Sequence, residues 1–457
     1  MYKRQGLTLY DGLARFGALS TPLPGQKQLT RTGARTLFPA LKPDALVGAV
    51  RYYDAQADDA RHTLTVARTA AQYGATVLNS AEVVSFTHAG GRVVGALVRD
   101  VETGAEVQVR SQVVVNATGV WTDDVQTLIG GRGRFHVRAS KGVHIVVPRD
   151  RINGEVGLIL RTEKSVLFVI PWGSHWIIGT TDTDWTLDKA HPAASRADID
   201  YILEHVNQVL ATPITHDDIT GVYAGLRPLL SGDSEMTSQL SREHAVARPV
   251  PGVIAVAGGK YTTYRPMAAD AVDAVGQDVT RDVPPSVTDN IPLAGAEGYA
   301  AMVNQLDRLS EEWGIHRFQA EHLLNRYGSL TPEVLALAAD DAGLLQPVPG
   351  AEEYLMVEMV YAATHEGALH LDDFLARRTR ISIETSHRGV DSAEAVARAV
   401  APVLGWDADR AANEVASYTA RVEAERRSQT EPNDQEADAA RVAAPDTRAV
   451  AVGRALG

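Results

Sequence analysis

VVVNATGVWTDDV, residues 113–125, and AVAGGKYTTYR, residues 255–265, each read as an apolar strand, a turn of small residues and the start of a helix. That order sets the end of a strand against a helix N-terminus, where backbone N–H groups and the helix dipole favour an anion. In the first stretch Ala117, Thr118 and Gly119 form the turn and Trp121 opens the helix. In the second, Gly258 and Gly259 permit close backbone approach, Lys260 brings a cation, and Thr262 and Thr263 bring donors to the same point. Each stretch taken singly also fits a purely structural strand–turn–helix, with Lys260 in solvent and a threonine as cap.

Working outward, residues 58–76 predict a helix with an acidic start and Gly74 as its stop. A strand over 75–86 and two more up to residue 110, divided by tight turns, predict a β-meander. Residues 141–183 alternate strand runs with turn residues, which predicts a second, mostly antiparallel sheet spanning about 137–250. A helix at about 197–210 comes next, then strands over 219–230 and 252–260. The helix over 264–277 follows, with Pro266 in its first turn. From 298 to 426 the period is helical with no alternating strand run. The division expected is residues 1–285, a helical domain over 286–428, and a mobile tail over 429–457 that carries at most a short helix.

Composition narrows the chemistry. The 457 residues are 45% hydrophobic and 22% charged, enough for a large core. A net charge of -13 argues against nucleic acid as a partner, since a binding face would need concentrated Lys and Arg. With no cysteine there is no disulfide, thiolate nucleophile or iron–sulfur cluster, and the cytoplasm fits best. No apolar run is long enough to span a bilayer. No HExxH, GxSxG or GxxxxGK[ST] occurs, and no metal is expected. Lys is scarce, and Lys141 and Lys260 both read as lying in Gly-rich turns. His144 sits in a strand where alternation puts it on a face with Gly142 and Val146, opposite Val143, Ile145 and Val147; it is either a structural histidine or a proton acceptor. Arg227 ends an apolar strand before Pro228, and Arg242 precedes the next strand; each is either a surface residue or an anion holder.

In order along the chain, YYDAQADDAR (52–61), NATGVW (116–121), KGVHIVVPR (141–149), IGTTDTDW (178–185), YAGLRPL (223–229), GGKYTTYR (258–265) and HEGALHLDDFLARRTR (365–380) resemble the FAD-dependent glycerol-3-phosphate dehydrogenase family. That family is a branch of the D-amino-acid-oxidase-like flavoproteins. The resemblance implies an α/β fold: a Rossmann-like FAD-binding domain, an antiparallel-sheet substrate domain and a C-terminal helical domain. It implies oxidation of sn-glycerol 3-phosphate to dihydroxyacetone phosphate, with hydride passing to FAD and electrons to a quinone. Arg227, Arg242, Lys260 and Thr262 would hold substrate. His144, Arg227 and Lys260 would be catalytic, with His144 leading as proton acceptor. Ala117, Thr118, Gly119, Trp121, Gly259, Lys260, Thr262 and Thr263 would line the flavin, with Val83 near the adenine. A homodimer, and peripheral attachment to the inner face of the cell membrane where the quinone lies, are implied too.

Two departures qualify the match. Val143 stands where the family writes a small polar residue. The family also opens with a strand, a GxGxxG turn and a helix, and this sequence joins the pattern after them, at about Gly6, so the first βαβ unit is missing and a longer parent chain is expected. Two other readings stand beside the dehydrogenase: a flavin-free, inactive fragment that binds only a phosphate ligand or a partner, and an oxidase that uses oxygen.

Overall fold

The computed structural model describes residues 24–130, 136–163, 166–231, 243–444 and 446–448. β1 (Lys27–Thr30) and β2 (Gly48–Arg51) pair antiparallel around α1 (Arg31–Leu37). α2 (Asp59–Gln72) is capped as its acidic start requires: the Asp58 carboxylate accepts from the Arg61 N–H at 3.0 Å. The meander follows as β3 (Ala81–Ala89), β4 (Arg92–Asp100) and β5 (Glu106–Arg110). β3 begins six residues later than the expected position 75. Asn79 donates to the Gly367 carbonyl at 2.6 Å, and Ser80, at a φ of 51°, donates to Glu102 at 2.7 Å, so this stretch bonds to other parts of the chain.

β6 (Val114–Asn116) leads into α3 (Thr122–Ile129). The long strand β7 (Val137–Pro148) then anchors a six-stranded antiparallel sheet with β8 (Leu158–Arg161), β9 (Val166–Trp172), β10 (His175–Gly179), β11 (Thr183–Trp185) and, after α4 (Arg196–Asn207), β12 (Gly221–Leu230). Along one edge β7 pairs with β10 and β11; along the other it pairs with β12 over ten residues. Val143, Ile145 and Val147 face a core with Trp176 and Ile178 of β10 and Ile202 and Val206 of α4. β13 (His244–Ala247) and β14 (Val253–Gly258) complete a second sheet of order β13-β14-β6, in which β14 and β6 run parallel. α5 (Tyr264–Gly276) closes this part of the chain.

The remainder is helical: α6 (Tyr299–Val303), α7 (Leu306–Trp313), α8 (Arg317–Tyr327), α9 (Thr331–Ala336), α10 (Met356–His365), a turn of π-helix at Asp373–Arg378, α11 (Ile381–Glu384), α12 (Val390–Leu404), α13 (Ala408–Ser428) and α14 (Asp434–Val442). Three expectations are corrected. A small hairpin, β15 (Pro347–Val348) with β16 (Ala351–Leu355), interrupts the helices; its strands are too short for an alternating run to show. Part of the expected mobile tail is α14, which packs against α13 and is tied to the sheet. The tie is Lys141, which lies in no turn: it is in the middle of β7, fully buried, with Nζ 2.6 Å from both Asp198 and Asp434 and 4.9 Å from the Trp185 ring. A buried cation between two carboxylates is a structural clamp.

The C-terminal helices meet α2 across a polar seam. Arg61 of α2 makes a bidentate pair with Glu366, both contacts at 2.8 Å, and lies 4.6 Å over the Tyr327 ring. Arg380 pairs with Asp58, the α2 cap.

Candidate active site

Because β7 commits its odd-numbered residues to the core, Ser140, Gly142 and His144 face the other way. β12 lies opposite in register, with Tyr223 across from His144, Gly225 across from Gly142 and Arg227 across from Ser140. The His144 and Tyr223 rings stack at 4.9 Å with an interplanar angle of 11°. Four residues along the same face, the Arg227 guanidinium donates to Thr180 Oγ1 at 3.1 Å and to the Thr181 carbonyl at 3.4 Å. It lies over Gly142, where a Cβ would come within 2.6 Å of Nη2. A Cβ on Gly225 would meet nothing within 4 Å. The guanidinium thus covers Gly142, while Gly225 leaves an open notch beside it on the face that also carries the His144 imidazole.

The electrostatics follow from that packing. Burial, then the Arg227 charge, push His144 down to about 4 against the opposing pull of Asp59, so the ring is neutral at physiological pH. Its Nδ1 is buried without a hydrogen-bond partner. Burial likewise raises Tyr223 to about 12, keeping a neutral phenol against the imidazole.

The two small-residue turns come together because β6 and β14 are parallel neighbours, with Val253 beside Val114 and Ala255 beside Asn116. Both turns leave the same edge of the sheet. Asn116, buried, shapes the first: its Oδ1 accepts from the Thr118 N–H at 3.2 Å and hydroxyl at 2.7 Å. Gly119, at a φ of 60°, approaches Pro228 beside Arg227, and Gly258 approaches Leu230, so both turns abut β12 beyond Arg227. Gly259 has a φ of 85°, and a Cβ there would strike the Met267 sulfur. Each turn runs into its helix through a single 3-10 turn, Gly119–Trp121 before α3 and Tyr261–Thr263 before α5, and the Thr263 hydroxyl accepts from the Lys260 N–H at 3.2 Å. The acidic residues in the first turn of α3 point elsewhere: Asp123 accepts from the Val137 N–H at 3.2 Å, and Asp124 pairs with Lys189 at 2.5 Å. Ala117, Thr118, Trp121, Lys260 and Thr262 are exposed around this edge, and Thr263 is half-buried with its hydroxyl donating to the Lys260 carbonyl at 2.9 Å. Paired glycine turns at the ends of parallel strands and the exposed Lys260 ammonium beside them fit a dinucleotide phosphate.

Of the residues singled out in the sequence, the structure brings His144 and Arg227 onto one face of the sheet and sets the two turns side by side. Tyr223, Thr180, Thr181 and the notch glycines were missed as site residues, although they stand inside blocks already quoted; register between strands distant in sequence was the absent information. Val83 lies in β3 paired with Val98, and no contact joins it to either turn. Lys260 makes no direct contact with His144 or Arg227 among the described residues. Arg242 lies outside the described residues.

Comparison with known proteins agrees with this geometry. The family described as FAD dependent oxidoreductase matches residues 2–272, and the C-terminal domain of alpha-glycerophosphate oxidase matches residues 286–411. Glycerol-3-phosphate dehydrogenase 2 of Mycobacterium tuberculosis is 62% identical over 448 residues, covering 98% of this chain and 76% of that protein. This chain belongs to the FAD-dependent glycerol-3-phosphate dehydrogenase family. The human mitochondrial glycerol-3-phosphate dehydrogenase is 34% identical over 418 residues, 88% of this chain and 56% of its own length. The glycerol-3-phosphate dehydrogenase of Bacillus halodurans, solved with FAD, superposes with a TM-score of 0.76 at 29% identity, over 87% of this chain and 79% of that one. As a member of the glycerol-3-phosphate dehydrogenases the chain is an oxidoreductase with FAD as its cofactor. Among the described residues, no helix is long and apolar enough to cross a membrane.

Proposed function

We propose that this enzyme oxidises sn-glycerol 3-phosphate to dihydroxyacetone phosphate, with a quinone as final electron acceptor. The observation that carries this reading is the open notch at Gly225, on the face shared by a neutral imidazole and a guanidinium and beside the paired turns. The names of the mycobacterial and human relatives support the substrate. FAD, when bound, supplies the acceptor for the hydride from C2. Ala117, Thr118, Gly119, Trp121, Gly259, Lys260, Thr262 and Thr263 hold it, with Val83 toward the adenine. Arg227 grips the substrate's phosphate or C2 oxygen in bidentate fashion, helped by Arg242, Lys260 and Thr262. His144 takes the C2 hydroxyl proton as the alcohol becomes a ketone. Lys260 keeps a positive charge at the flavin edge. Delivery of electrons to a membrane quinone calls for cytoplasmic protein docked peripherally on the inner membrane face, and a homodimer belongs to the same reading.

The test is anaerobic titration of the FAD-reconstituted chain with sn-glycerol 3-phosphate, followed by a soluble quinone. Flavin absorbance should bleach with substrate and return with quinone. A chain that takes up no FAD, or a flavin that does not bleach, refutes the reading. The match to an oxidase's C-terminal domain favours one alternative, oxygen as acceptor; peroxide formed in air at the rate of turnover selects it.

A further inference from the structure

A second charged cavity lies away from the notch and shares no residue with it. Of about 290 Å³, it is walled by the π-turn at Asp373–Arg378, α13, α14, the loop carrying His191 and the segment around Arg448. This is at the small end of ligand cavities and suits a molecule of few heavy atoms.

Its carboxylates are already engaged. Arg421 holds Asp372 at 2.7 Å and Glu425 at 2.8 Å, and Arg448 holds Asp446 at 2.6 Å. Arg377 spans Asp372 and Asp373. Glu414 lies 2.9 Å from His370 and 2.8 Å from Arg410. Three cationic or protonatable groups are left over. Arg378 donates through Nε to the Glu366 carbonyl at 2.9 Å and pairs with no carboxylate among the described residues. Arg441, buried, reaches among the described residues the carboxylate of Glu425, at 3.5 Å, which Arg421 already holds. The His191 ring makes no hydrogen bond among the described residues. Burial lowers Arg378, Arg441 and His191 from their ordinary values; Arg441 lowers His191 further. Buried cations short of partners are costly, and the cost is relieved by an anion.

We propose that this cavity binds a small phosphate-type oxyanion, gripped by Arg378 and Arg441 with His191 at its edge. Both arginines line this one space, and a guanidinium fork matches the oxygens of a phosphate better than a point charge does. Arg378 lies two residues from Arg380, whose guanidinium holds the cap of α2, and its carbonyl accepts from Arg326 at 2.5 Å. An anion here would therefore pull on the same seam that carries Asp58 and Asp59 toward the notch.

The experiment is calorimetric titration of the full chain with inorganic phosphate, against chloride at matched ionic strength. It is done in an Arg227→Gln background so that the notch does not report. That variant should still bind one phosphate per chain. Adding Arg378→Gln or Arg441→Gln should weaken the affinity by about tenfold or more, as expected for loss of a charge-assisted contact. Arg441→Gln should also melt no lower than its parent without phosphate, the opposite of what a purely structural arginine would do. Phosphate binding that disappears with Arg227→Gln alone confines the anion to the notch; it overturns this cavity's role and leaves the proposed function standing. Binding that persists unchanged through Arg378→Gln and Arg441→Gln overturns it equally.

Discussion

The role proposed for His144 depends on its being hard to protonate. With the ring held down to about 4 by burial and then by Arg227, the acid limb of kcat/KM should lie near pH 4, well below the ordinary histidine value of 6.5. Arg227→Gln removes the second cause and leaves the first, so the limb should move upward but stay below 6.5; a pH–rate profile of the variant checks this, and an unmoved limb would separate His144 from Arg227. The same shift acts on stability. Unfolded His144 takes up its proton near 6.5 and the folded ring only near 4, so stability falls as pH drops through that window. Gly225 offers a second handle. Its Cβ would enter open space, so Gly225→Val should fill the notch, lower kcat/KM by about tenfold or more and change folding stability by no more than about 0.5 kcal/mol. A variant of normal activity would place the substrate elsewhere.

Among the elements, β7 does two jobs with adjacent residues. Its outward face supplies Gly142 and His144, while Lys141 holds α4 and α14 through Asp198 and Asp434. Lys141→Met removes the cation and leaves two facing carboxylates, one of them buried. Urea unfolding should show a loss of about 3–5 kcal/mol. If the loss is under about 1 kcal/mol, the clamp is not what fastens α14 to the sheet.

At the scale of the molecule, α2 and the C-terminal helices share a seam of buried ions. The Arg61 and Glu366 side chains are 8% and 0% exposed, and neither can be left alone cheaply. Glu366→Gln strands the Arg61 charge and should cost about 3 kcal/mol or more in denaturant unfolding. The pair Arg61→Met with Glu366→Leu, which removes both charges, should regain most of it. Equal losses in the single and double variants would mean the pair contributes by shape alone. Because Arg380 holds Asp58, the cap of α2, from the helical side, the seam also sets where Asp59 stands relative to His144.

What the sequence by itself determined are the local matters: the capped start of α2, the two glycine turns, and the alternation that sends Val143, Ile145 and Val147 inward and His144 outward. These depend on period and turn chemistry over a few residues. The family too was legible, because its blocks are ordered along the chain. Only the tertiary structure decided which strand lies across from His144, and so that Tyr223 stacks on it and Gly225 opens the notch. It alone turned Lys141 from a supposed turn cation into a buried clamp, and drew residues 434–442 out of an expected tail into a packed helix. Register and burial are set by contacts between residues tens to hundreds of positions apart, and a one-dimensional pattern carries no distance between them.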